Sequence, residues 1–202
     1  MGKKGVSLLL FLMVFSSGCV SKPPKNKSDL CAIFGEKRSW YKDAVRSEKR
    51  WNIPLTTSMA IMYQESSFNA KAKPPRRRLL GFIPWKRQSS AYGYAQALDG
   101  TWKHYKEQSG NWSADRDDFG DAIDFVAWYS RDAVKHTKVN PANAYGLYLV
   151  YHEGVGGYRR GSYQNKPQVK KTASKVQARA KRYHRQYAGC KKRLDRPWWR
   201  FW

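Results

Sequence analysis

Apolar residues in this chain recur at helical spacing in one stretch after another, and nowhere alternate as a half-buried strand requires. From Lys37 to Trp51, the set Trp40, Tyr41, Ala44, Val45 and Trp51 marks an amphipathic helix. Pro54 suits the first turn of a second helix, with Leu55, Met59, Met62 and Tyr63 on one face and an end near Glu65. Asp99 can cap a helix through Trp102 and Tyr105 that stops before Gly110. Asp117 to Val134 opens on acidic residues and carries Phe119, Ile123, Phe125, Val126, Trp128 and Tyr129. Pro141 opens another helix through Ala144, Leu147, Tyr148 and Tyr151, stopped by Gly154, and a last basic helix covers Val169 to Tyr187. The expectation is a mainly α domain without internal repeats, in a chain of 202 residues that is long enough to bury a core.

The segments outside these helices carry different signals. Lys3 and Lys4 precede an apolar run from Val6 to Phe15, and small residues then lead into Ser16-Ser17-Gly18-Cys19. A basic start, a short apolar stretch and a small-residue cleavage site read as an export signal over residues 1–18. The run is too short to cross a bilayer, which takes ~20 apolar residues. A cysteine directly after Ser-Gly resembles a bacterial lipobox, in which Cys19 is acylated and becomes the mature N-terminus; a plain secretory signal is the alternative. Val20 after that cysteine resembles the outer-membrane destination, so the chain is expected to be an outer-membrane lipoprotein facing the periplasm. Residues 19–36 then read as the acylated cysteine and a flexible tether, 37–190 as the folded domain, and 191–202 as a basic aromatic tail ending Trp198-Trp199-Arg200-Phe201-Trp202. Residues 70–91, with Arg76-Arg77-Arg78, form a long basic loop of the kind that is functional or disordered.

Charge and cysteines narrow the partners. Lys and Arg number 39 against 15 Asp and Glu, a formal charge of +24, so an anionic partner is implied: nucleic acid, a membrane surface or a wall polymer. Export counts against nucleic acid. With Cys19 acylated, Cys31 and Cys190 remain as an even pair in an oxidising compartment, either free or bridged. A bridge would close a loop of roughly 160 residues and tie both ends of the domain together.

Three segments carry the chemistry. They are Gln64-Glu65-Ser66-Ser67-Phe68-Asn69 at a helix end, the loop Tyr92-Gly93-Tyr94-Ala95-Gln96, and Leu149-Val150-Tyr151-His152-Glu153-Gly154. In this order they resemble the lytic transglycosylase catalytic domain, a lysozyme-like (goose-type, SLT) helical fold. The family shows Glu-Ser-x-Phe-Asn, then Gly-Leu-Met-Gln, then Tyr-Asn-x-Gly. Here Tyr94 and Ala95 replace Leu-Met, and His152 replaces Asn.

The resemblance implies a peptidoglycan lytic transglycosylase that cleaves the MurNAc–GlcNAc β-1,4 bond with Glu65 as acid and then base. The substrate's N-acetyl group would stabilise the cationic centre, and the muramic acid C6 hydroxyl would close a 1,6-anhydro ring. By the same resemblance Ser66 would support Glu65 by hydrogen bonding, and Gly93 would let backbone approach sugar closely. Tyr94 would shape a sugar subsite, Gln96 would orient the loop or bind substrate, and the Tyr151 hydroxyl would point at Glu65 or the N-acetyl group. Physical chemistry points the same way for Glu65. An acid that protonates a leaving oxygen must stay protonated near neutrality, and both a helix C-terminus and apolar neighbours (Met62, Tyr63, Phe68) raise a carboxyl pKa.

Other chemistries fit less well. Glu153 is the one candidate for a second carboxylate; facing Glu65 it would make a hydrolytic muramidase, and otherwise it binds a neighbouring amide or arginine. His152-Glu153-Gly154-Val155-Gly156 lacks the second histidine of a zinc-protease helix. Asp115-Arg116-Asp117-Asp118 fails calcium-loop spacing because Phe119 falls at a ligand position. No metal or cofactor is expected, and the chain is expected to be a monomer acting on glycan strands and held at the membrane by its lipid. A different class is a non-catalytic envelope-binding lipoprotein, in which Glu65 would lie exposed and away from Tyr151 and Gln96.

Overall fold

A computed structural model of the chain describes residues 22–79 and 83–196. The export signal, Cys19, Leu80-Gly81-Phe82 and the tail from Pro197 onward lie outside the described residues.

The molecule is built from seven described helices around a central one. Helix α3 (Leu55–Ser66) is buried on every side from Leu55 to Met62, as expected of a helix packed all round by others. It touches α2 (Arg38–Trp51), α5 (Phe119–Thr137), α6 (Ala144–Arg159) and α7 (Pro167–Asp195). Helix α4 (Asp99–Ser109) closes one side against α5.

Local chemistry sets most of the ends. Asp118 and Asn143 accept from Asp121 N and Gly146 N and so cap α5 and α6. Pro167 occupies the first turn of α7. Gly110 closes α4 in the left-handed conformation. Inside, Trp40 of α2 stacks on Phe119 of α5 with ring centroids 3.9 Å apart, and Trp102, Tyr105, Phe125 and Trp128 form a second aromatic group.

Three sequence expectations are corrected. Residues 30–36 are not tether: Leu30–Glu36 form helix α1, capped by the Asp29 carboxylate, with Leu30, Ile33 and Phe34 buried against the rest of the fold. A seven-residue helix is too short to display a period. The folded body therefore starts before residue 37, and α7 carries it to Asp195, with Leu194 buried, so the tail begins later than residue 191. The basic loop is a hairpin, β1 (Arg76–Leu79) pairing antiparallel with β2 (Ile83–Arg87) with an irregularity between Arg76 and Arg78. This two-stranded ladder pairs only with itself among the described residues.

Cys31 and Cys190 are bridged, with Cα atoms 6.0 Å apart. The bridge joins α1 to the last turns of α7 and so ties the two ends of the body together, as the cysteine count allows.

Candidate active site

Glu65 occupies the last turn of α3, beside the unpaired carbonyls of the helix end. The chain turns away at once through two successive left-handed residues, Ser67 (φ 52°) and Phe68 (φ 61°). Neither is glycine, and such backbone costs about 1–3 kcal/mol per residue, so the surroundings must hold it. They do: the Phe68 ring is fully buried against Trp40 and Tyr63. Glu65 lies beside α6, which carries Tyr148 and Tyr151 on one face at i and i+3.

Burial dominates the electrostatics of Glu65. It raises the carboxyl from 4.5 to about 7, and a hydrogen bond from the Tyr148 hydroxyl holds it back from rising further. The charge of Glu65 in turn pushes both tyrosines upward, after their own burial.

The second motif forms a tight loop under this pair. Tyr92 bridges to Ala97, Gly93 N donates to Ala72 O at 3.0 Å, and Tyr94 N donates to Arg116 O at 3.1 Å. The Gln96 amide donates to Ala72 O and Gly93 O, each at 2.9 Å. The Arg116 guanidinium donates to Ser90 O and Ala97 O and pairs with Asp99 at 2.7 Å. Tyr151 reaches across from α6 and donates its hydroxyl to Ala95 O at 2.6 Å. The loop and α6 together border a cavity of about 290 Å³, lined by Gln96 to Leu98, Thr101, Phe125, Tyr129 and Tyr151 to Gly154. Leu98 is 47% exposed at its edge.

Glu153 lines the same cavity but is fully engaged. Lys166 Nζ contacts both its oxygens, at 3.0 and 2.8 Å, Ser162 donates to it, and His152 Nδ1 lies 3.0 Å away. The Lys166 and Ser162 hydrogen bonds hold its carboxyl down at about 2. Glu153 is therefore a carboxylate held in the wall formed by α6 and the turn leading to α7 by a lysine, a serine and a histidine.

The geometry revises several residue expectations. Tyr94 is 1% exposed and packs edge-on against Trp40 and Phe119, so it belongs to the core and not to a sugar subsite. The close approach at Gly93 is to protein: a Cβ there would lie 2.0 Å from Arg116 O, at a φ of +77°. Ser66 donates to Met62 O one turn back, and no bond from it to Glu65 forms. Tyr151 lies near Glu65 but spends its hydroxyl on Ala95. The tyrosine that bonds Glu65 is Tyr148, which the motifs do not include; its i, i+3 relation to Tyr151 was the available signal.

Two larger hollows, of about 660 and 540 Å³, lie along α7 by Ala142, the second also flanked by the start of α3. They contain none of the three motifs. Among the described residues, no group of three His, Cys, Asp or Glu side chains is placed to hold a metal ion.

This arrangement, an acid at a helix end beside two tyrosines of α6, the second of them bonded to a glycine-containing loop, lies within the stretch of chain that matches a known family. Residues 7–190 match the transglycosylase SLT domain. The chain belongs to that family. Among curated proteins, none matches it. Transglycosylase SLT domains act on peptidoglycan in the cell envelope, which makes this chain one of a glycosidic-bond-cleaving class and makes glycan its substrate. Of the residues in the three motifs, Gln96, Tyr151, His152, Glu153 and Gly154 line the 290 Å³ cavity, while Glu65 does not.

Proposed function

We propose that this SLT domain is a lytic transglycosylase cleaving the MurNAc–GlcNAc β-1,4 bond, with Glu65 as its acid and base. The observation that carries the reading is the Glu65 carboxyl itself, desolvated at a helix end and raised to about 7. Such a group holds its proton near neutrality and can give it to the glycosidic oxygen as the C1–O bond breaks. The substrate's N-acetyl group then meets the positive charge at C1. The Glu65 carboxylate takes the proton from the C6 hydroxyl as that oxygen bonds to C1. The products are a 1,6-anhydro-MurNAc end and a free GlcNAc hydroxyl, and no water is consumed.

The state of Glu153 favours this route over hydrolysis. A hydrolase needs a second carboxylate free to activate water or attack C1. Glu153 is saturated by Lys166, Ser162 and His152. A purely binding role is disfavoured because Glu65 is partly buried beside Tyr148 and near Tyr151, not exposed away from them.

Tyr148 tunes Glu65, Tyr151 and Gln96 hold the 92–97 loop, and Gly93 lets that loop sit on Arg116. The enzyme works as a monomer from the outer membrane, held through acylated Cys19 and facing the periplasm, without metal or cofactor. Mass spectrometry of products from purified peptidoglycan tests the reading, with Glu65→Gln alongside. Anhydro ends from the parent alone are expected; reducing ends would mean hydrolysis, and no release would mean a binding protein.

A further inference from the structure

Helix α7 has two faces that differ completely. Its inner face carries Ala173, Val176, Ala180, Tyr183, Cys190 and Leu194, all buried. The opposite side, by helical phase, carries Lys171, Lys175, Arg182, Arg185, Lys192 and Arg193, over roughly 33 Å of helix. All but Arg182 are exposed, and among the described residues none of the six is in an ion pair. No acidic residue interrupts the stripe. The positions between the cations on that side are Ser174, Ala178 and Gly189, and an added Cβ at Gly189 would meet nothing. The row is long and uninterrupted by acid, and one side of it borders the two larger hollows, which Ala178 and Arg185 help to line. None of these residues lines the 290 Å³ cavity.

The chain's N-terminal side runs along the flank of this helix. Tyr183 donates its hydroxyl to Lys27 O, Gln186 is bonded to Leu30 N and Ser28 O, and Cys31 is bridged to Cys190. The described chain starts at Lys22, and the three residues back to Cys19 span at most about 11 Å. A lipid on Cys19 would therefore hold a bilayer near the strap, which meets α7 from Lys27 onward.

We infer that the outward cationic face of α7 is a docking surface for an anionic phospholipid bilayer, orienting the domain so that its cleft stays clear of the membrane. The occupant is a lipid surface because the stripe is long, cationic and free of acidic residues, and because the strap that leads towards Cys19 runs along the flank of the same helix. The inference rests on the anchor reading for its geometry but not on the catalytic one.

The test uses the full chain carrying Cys19→Ser, which removes the acylation site, and the same chain with Lys175→Ala, Arg185→Ala and Lys192→Ala. Both are sedimented with phosphatidylcholine vesicles, with and without phosphatidylglycerol, and with insoluble peptidoglycan. Each cation near an anionic surface contributes about fivefold, so the triple change is expected to weaken binding to phosphatidylglycerol vesicles roughly a hundredfold. Binding to phosphatidylcholine alone and the thermal melt should not change. Equal binding of both proteins to anionic vesicles overturns the inference. Loss of peptidoglycan binding with vesicle binding intact also overturns it, and assigns the stripe to a wall polymer. Vesicle binding needs no catalysis, so a negative result here is separable from an absence of product.

Discussion

Tyr151 gives its hydroxyl to the carbonyl of Ala95 at 2.6 Å, and this bond joins α6 to the loop between Tyr92 and Ala97. Removing the hydroxyl leaves the carbonyl of the buried Ala95 without this donor. Tyr151→Phe is expected to cost about 1–3 kcal/mol of stability, read as a lower urea midpoint. It should also reduce turnover while leaving the pH profile where it was. Tyr148→Phe should do the reverse to the profile, moving its limb to higher pH, because it removes the one bond that favours ionised Glu65. A Tyr151→Phe protein with parental stability would show that the bond to Ala95 contributes nothing.

Glu65 couples activity to stability through one proton. Its carboxyl titrates near 7 when folded, against 4.5 for an unperturbed glutamate. The folded state therefore binds more protons than the unfolded state between those values, and stability falls as pH rises through that window. The stabilising contribution is complete below about 4.5 and gone above about 7. Glu65→Gln has no such proton to lose and keeps an oxygen for Tyr148. It is expected to be inactive and, above pH 7, more stable than the parent by an amount on the order of 3 kcal/mol at most. Parallel urea melts from pH 4 to 8 check the sign: the gap should open with rising pH. In the parent, kcat/KM should decline through about pH 7.

What was legible in the sequence is what is encoded locally. The start after Pro54 and the stop at Gly110 are written in residues whose backbone preferences act within one turn; Asp99 begins α4 but does not cap it, because Leu98 holds the cap position and the Asp99 carboxylate pairs with Arg116. Glu65 was legible because its helix end and its apolar neighbours lie within a few residues of it. Tyr94 was misread because its position beside Gly93 suggests a site, whereas its burial depends on Trp40 and Phe119, which arrive from two other helices. Helix α1 was missed for the same reason: Leu30, Ile33 and Phe34 make sense only once α7 lies against them. Glu153 shows the limit most clearly. The sequence offered it an amide or arginine partner or a catalytic role, and the decision rests on Lys166 and Ser162 across a turn whose path no short motif encodes.

The bridge between Cys31 and Cys190 closes a sequence separation of 159 residues, so its entropic effect on the unfolded chain is large. Its loss is expected to cost about 2–5 kcal/mol. The site lies on α3 and α6, neither of which contains the bridge, so the double variant Cys31→Ser/Cys190→Ser should remain active below its lowered melting temperature. Urea melts with and without reductant, compared with that variant, check both points. Equal midpoints in all three would mean the bridge does not stabilise the fold.

Gly93 makes the sharpest backbone prediction. Its φ of +77° and the 2.0 Å separation between a built Cβ and Arg116 O leave no room for a methyl group. Gly93→Ala must push apart the 92–97 loop and the segment before α5, where Arg116 holds Ser90, Ala97 and Asp99 together. The expected result is a destabilisation of more than about 1 kcal/mol and a loss of turnover as Gln96 and Ala95 shift from their partners.

The choice between transglycosylation and hydrolysis comes down to Glu153. Lys166 and Ser162 hold its carboxyl at about 2, so it is ionised wherever the protein is folded and useful. A folded pKa below the ordinary 4.5 means its contribution is present above that value and lost as pH falls through about 2. Glu153→Gln should therefore lower stability modestly near neutrality, with the difference from the parent closing under acid. If Glu65 works alone, the variant still releases anhydro ends, at a rate reduced only as far as the cleft wall loosens. If Glu153 is instead the base that activates water, the same substitution abolishes release altogether. Product mass spectrometry on that variant at pH 6 and 7, where the parent is expected to be active, separates the two.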